Sequence, residues 1–114
     1  MQLPRMSAVM EPRSFVSVEV HRRSSLFGQT INELTPLIGG TADRGCTVLI
    51  SIGGAVFGAA VNDTGEWSLD TRIEVPLSGR FDLASDGRKK LVVTAVDAQG
   101  RNRVIEGVFT VLTV

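Results

Sequence analysis

Tyrosine is absent from the chain, and cysteine, histidine and tryptophan occur once each. A single cysteine excludes an internal disulfide framework. One cysteine and one histidine together cannot supply the four ligands of a structural zinc site. No apolar run reaches the roughly 18–20 residues of a membrane-spanning helix. Charge of one sign is also missing, because 12 Lys and Arg balance 12 Asp and Glu. Proteins that grip nucleic acid by neutralising phosphates carry a basic excess. Neither a nucleic-acid partner nor a membrane span is therefore expected. What is present is 114 residues, 43% hydrophobic and 21% charged. That composition belongs to one folded domain able to bury a core without metals or disulfides. Twelve glycines imply many turns between short strands.

Residues 1–14 show neither a strand nor a helix period, and Pro4 and Pro12 interrupt them. They read as an extended N-terminal arm whose apolar anchors are Leu3, Met6, Val9 and Met10. The arm has no apolar core of the roughly 7–15 residues an export signal needs, so the expectation is either that the chain is not exported by that route or that it is an excised piece of something larger.

From Phe15 onward the apolar period is two, the repeat of a half-buried strand. Val16, Val18 and Val20 alternate with Ser17, Glu19 and His21. A polar loop is expected from Arg22 to Glu33, then a short strand over Thr35–Ile38 and a turn from Gly39 to Gly45. Cys46, Val48, Ile50 and Ile52 line one face of the next strand. Gly53-Gly54 is a hairpin signal, and Ala55–Val61 is the returning strand. Asn62–Gly65 reads as a turn, and Trp67 and Leu69 point inward from Glu66–Leu69. The stretch 70–90 is less regular, with Val75, Leu77, Phe81 and Leu83 as apolar anchors and Asp86-Gly87 as a turn. Leu91, Val93 and Ala95 share a face, and Asp97–Gly100 ends that strand. Val104–Val114 is a final strand with a bulge expected at Gly107. About seven strands at such spacing predict an all-β, antiparallel β-sandwich over residues 15–114.

Several runs resemble one known family. Gly40-Thr-Ala-Asp-Arg-Gly-Cys-Thr-Val-Leu-Ile50 is similar to the opening "GTA-x-x-G-x-x-V-x-I" of bacterial and phage immunoglobulin-like (Big-type) domains. Val61-Asn-Asp-Thr-Gly-Glu-Trp-Ser-Leu69 resembles their "D-x-G-x-W-S". Leu91-Val-Val-Thr-Ala-Val-Asp-Ala-Gln-Gly-Arg-Asn102 resembles their "L-x-V-T-A-x-D-x-x-G-N", and Phe109-Thr-Val111 their closing strand. The connection from Leu69 to Leu91 is longer than the family's, and Arg101 interrupts the Gly-Asn pair. The resemblance implies an immunoglobulin-like sandwich that binds or spaces rather than catalyses. Such domains occur in adhesins, invasins, surface layers, phage tails and capsid decorations.

The residues that could carry chemistry are few. His21 falls on the polar face of a strand with no triad partners near it in sequence. Cys46 alternates in phase with Val48 and Ile50, the position of a buried, inert thiol. Trp67 reads as the core aromatic. Asp43, Asp63, Asp70, Asp82, Asp86 and Asp97 leave a structural calcium ion as the one cofactor to consider, but each also suits a turn. Gly39-Gly40 and Gly53-Gly54 precede no helix and no lysine, so neither is a phosphate loop. Arg22-Arg23 and Arg88-Lys-Lys90, with Arg101 and Arg103, are small basic clusters expected on solvated loops. No catalytic constellation emerges.

The expected function is that of a non-enzymatic structural module on a larger assembly, such as a virion surface, docked through the arm. The alternative is one repeat of a secreted bacterial adhesin that binds a cell-surface glycan or protein. Either way the partners are proteins or glycans, and a homo-oligomer is open if the last strand forms an edge. Arg72, Arg80, Arg88 and Lys89 are the expected contact residues on the irregular stretch.

Overall fold

The computed structural model describes residues 17–20 and 27–113. The arm with Leu3, Met6, Val9 and Met10 lies outside them, as do His21, Arg22 and Arg23. Among the described residues the chain is all-β, without a helix. The strands are β1 (Ser17–Val20), β2 (Thr30–Ile31), β3 (Leu37–Thr41), β4 (Thr47–Ile52), β5 (Ala55–Ala60), β6 (Glu66–Asp70), β7 (Ser78–Gly79), β8 (Gly87–Val96) and β9 (Asn102–Val111). They form a three-stranded sheet, β1-β3-β6, and a six-stranded sheet, β2-β9-β8-β4-β5-β7.

The period-two pattern decides which face of each sheet is covered. Val48, Ile50 and Ile52 of β4 and Leu91, Val93 and Ala95 of β8 are buried on one face of the large sheet. Ile38 of β3 and Trp67 and Leu69 of β6 join them in a single core cluster. Two sheets thus share one apolar core, the arrangement of a β-sandwich. Phe57 of β5 sits in this core, and its ring meets that of Phe81 edge to face at 5.6 Å. Burying a side chain of that size stabilises the fold by about 1.5–3 kcal/mol.

The sheets depart from the sequence reading in four ways. First, the large sheet is mixed rather than antiparallel. β2 runs parallel to β9, pairing Thr30 with Thr110 and Ile31 with Val111. The segment read as a polar loop therefore supplies an edge strand. Hydrogen bonds from Gly28 N–H to Val108 O, Thr110 N–H to Gln29 O and Leu112 N–H to Ile31 O zip it along β9.

Second, Gly39 and Gly40 are not a turn but lie within β3, the middle strand of the small sheet. Gly40 stands opposite Trp67, so no side chain of its own competes with the indole for inward space. A Cβ on Gly39 would come within 3.2 Å of the Trp67 carbonyl oxygen. The turn itself is shorter and follows β3, with Cys46 N–H bonded to Asp43 O at 3.2 Å.

Third, Gly107 makes no bulge. The pairing of β8 with β9 is unbroken from Gly87↔Val111 to Val96↔Asn102. The glycine is needed for another reason: a Cβ there would lie 2.6 Å from the Phe27 ring, which packs over it.

Fourth, β8 begins at Gly87, so Asp86-Gly87 is not a free turn and Arg88–Lys90 lie on a strand rather than a loop. Nine strands are present among the described residues where about seven are expected, because β2 and β7 are only two residues long. Such short elements pair through the backbone and leave almost no periodic trace.

Candidate functional site

A long connection, residues 71–86, joins β6 to β8 and contains β7. Its beginning is tied down by polar bonds. The Thr71 hydroxyl donates to Pro36 O at 2.7 Å in a buried position. Asp70 Oδ1 accepts the Arg72 N–H at 3.0 Å, and Asp70 O accepts the Glu74 N–H at 3.0 Å. The far half is tied to the β4–β5 hairpin. Leu77 N–H donates to Val56 O at 2.7 Å and Asp82 N–H to Gly53 O at 2.9 Å. Leu83 is buried and Phe81 packs on the core.

Between these clamps the chain turns apolar side chains outward. Ile73 is 70% exposed, Val75 84% and Leu77 68%. Val75 and Leu77, expected as apolar anchors, are thus exposed, and with Ile73 they form an outward apolar row along the chain, the ridge. Leu77 lies over Gly58 of β5, whose missing side chain makes the space for it; a Cβ there would be 3.0 Å from Leu77 Cδ1. Scattered single apolar residues on a surface are ordinary, whereas a contiguous group marks a contact site. Val104 and Val108 of β9 add exposed apolar surface on the outer face of the same large sheet.

The four expected basic contact residues separate. Arg72 is exposed and reaches back to Asp70, Nη2 to Oδ2 3.4 Å. An exposed pair of this kind contributes little to stability. Arg88 and Lys89 line a groove at the tip of the β4–β5 hairpin, together with Lys90, Gly53, Gly54, Asp82 and Ala84. The Arg80 carbonyl is beside the same hairpin, 3.3 Å from where a Gly54 Cβ would be. Arg88 and Lys89 therefore share one groove, with the Arg80 backbone beside it, and Arg72 lies apart on the segment of Ile73. A second depression crosses β3 and β6 and is lined by Gly39, Thr41, Asn62, Glu66 and Ser68 among others.

The remaining polar candidates serve the fold. Cys46 is buried; burial first, then the charges of Asp43 and Asp97, push its thiol pKa up, and Arg101 offsets this only partly. It therefore stays protonated and a poor nucleophile. Partial desolvation pushes the Asp97 carboxyl up, but hydrogen bonds from Arg101 and Gln99 and the Arg101 charge together outweigh it and hold its pKa below the ordinary value. Asp82 Oδ1 accepts the Ala84 N–H, and Asp86 Oδ1 accepts from both the backbone and hydroxyl of Thr113. Among the described residues no three acidic, His or Cys side chains come together to hold a metal ion. Trp67 is buried at 3% exposure, and its Nε1 has no hydrogen-bond partner among the described residues. Such an orphaned donor costs about 1–3 kcal/mol, so packing of the indole must outweigh it. Neither a scan against protein-family models nor a search of curated proteins returns a match.

Proposed function

We propose that the chain is a non-enzymatic interaction module, an immunoglobulin-like sandwich displayed on a larger assembly such as a virion. The strand order supports the immunoglobulin-like part. Taking β1, β3 and β6 as strands A, B and E, and β4, β5, β8 and β9 as C, C′, F and G, the two sheets become A-B-E and G-F-C-C′. That resembles the division of strands in immunoglobulin domains, without a strand D and with β2 and β7 added at the edges of the large sheet. Fold alone does not choose a function, so the surface must.

The observation that carries the binding part is the Ile73–Val75–Leu77 ridge. Three large apolar side chains are held out by a segment clamped at both ends, on a rigid two-sheet frame. Loops presented by a rigid scaffold are the usual place for recognition. Exposed apolar surface of this kind gains its free energy when a partner covers it. The arm, with Leu3, Met6, Val9 and Met10, is a second attachment in this reading.

The test is fractionation of the tagged full chain from its native source on a density gradient. Comigration with large particles is the expected result. Recovery with the cell envelope supports the adhesin alternative. Recovery only in the low-mass fraction overturns both.

A further inference from the structure

We infer that the groove at the β4–β5 hairpin tip takes an acidic peptide segment of the protein partner; this rests on the interaction reading above. β4 stops pairing with β8 at Ile52↔Leu91, whereas β8 continues beside β9 as far as Gly87. These four further residues, two repeats of the strand pleat, leave Arg88, Lys89 and Lys90 flanking space that no strand fills. Gly53, Gly54 and the segment Asp82–Ala84 close the other side, enclosing about 520 Å³.

The charges in this groove do not cancel. Lys90 Nζ meets Glu106 Oε1 at 3.3 Å, but both side chains are more than half exposed. Among the described residues Arg88 and Lys89 make no ion pair. Asp82 is the one carboxylate lining the groove, and one of its oxygens is bonded to the Ala84 N–H. Arg88 offers a planar fork that matches a carboxylate with two parallel hydrogen bonds.

The opposite wall is strained. Ala84 has φ 67°, the one positive value at a non-glycine residue among those described. Ser85 N–H donates to Leu83 O at 2.8 Å, closing a three-residue turn around it. Backbone strain of this type persists where surrounding contacts over-determine it, and it gathers at binding sites. Here the buried Leu83 and the Asp82–Gly53 hydrogen bond hold the wall in place.

Two observations favour a peptide over a nucleic acid. The chain as a whole is neutral and lacks the basic excess with which proteins grip a phosphate backbone. The groove also continues the apolar ridge along one edge of the large sheet. Leu77 is bonded to Val56, Gly79 pairs with Ala55, and the Arg80 carbonyl lies by Gly54. A segment with apolar residues followed by carboxylates would meet complementary surface along that edge.

The experiment titrates the isotope-labelled full chain with synthetic hexaglutamate, and separately with inorganic phosphate and hexalysine, followed by amide NMR shifts. The expected result is that hexaglutamate moves the amides of Gly53, Gly54 and Ala84, and that binding weakens as salt rises. R88E/K89E should lose about tenfold in affinity, R88Q/K89Q part of that, and R72E less than about twofold. Unchanged shift dispersion in each variant verifies its fold. Shifts elsewhere, equal loss in R72E, or phosphate binding as tight as the peptide would overturn the proposal. None of these outcomes alters the gradient result, so the two readings fail separately.

Discussion

Two connections beside β8 make opposite use of their residues. Residues 97–101, from β8 to β9, form a tight polar turn. Asp97 Oδ1 accepts the N–H groups of Gln99 and Arg101, both at 2.9 Å, and Oδ2 takes Arg101 Nε at 2.7 Å. Asp97 N–H to Arg101 O at 2.9 Å and Gly100 N–H to Asp97 O at 3.0 Å close the turn from within. Residues 71–86, from β6 to β8, are anchored just as firmly but turn Ile73, Val75 and Leu77 to solvent and hold Ala84 at positive φ. The first connection is finished by its own side chains. The second turns apolar side chains to water and holds one strained residue, and this is the physical ground on which a partner is proposed for it.

That contrast predicts a graded set of outcomes. Substitution in the shared core should do the most damage. F57A removes a ring that is 1% exposed and packed against Phe81. A loss of about 3–5 kcal/mol is expected in chemical denaturation. G107A comes next, since its methyl would meet the Phe27 ring. Overpacking of this sort costs roughly 1–3 kcal/mol, and the additional F27A change should restore part of it. N62A deletes an acceptor for the Thr64 and Glu66 N–H groups and the Thr64 hydroxyl. About 1 kcal/mol is expected from that loss.

The Asp97 turn gives a pH signature. Its folded pKa lies below the ordinary value, so its contribution is complete above the unfolded pKa and disappears as pH falls through the folded one. The melting-temperature gap between wild type and D97N should therefore be open at neutral pH and close in acid. A gap independent of pH would mean that the turn does not depend on the carboxylate. The smallest effect on stability belongs to the ridge. I73S, V75S and L77S should each fall within about 0.5 kcal/mol of wild type, because the side chains already face water.

Much of the fold was legible in the sequence, since alternation is a local consequence of strand geometry. Val48-Ile50-Ile52, Trp67-Leu69 and Leu91-Val93-Ala95 all face the core as their spacing requires. What escaped was set by distant partners. Nothing near Gly39-Gly40 in sequence reveals that Trp67 stands opposite, nor does anything near Gly107 reveal Phe27. β2 is invisible for the same reason, because its backbone is matched by β9, some 80 residues later. Val75 and Leu77, read as apolar anchors, lie exposed. Alternation says that one face is apolar, but not whether this chain or another covers it. Of the four basic residues, Arg88 and Lys89 share a groove, the Arg80 backbone lies beside it, and Arg72 turns back to Asp70.

The most direct test of the central claim combines two readings on one variant, I73S/V75S/L77S. The account predicts that its melting temperature stays within a few degrees of wild type. On the density gradient it should leave the particle fraction for the low-mass fraction. A variant that keeps its stability and still migrates with the particles would contradict the assignment of this ridge to a partner.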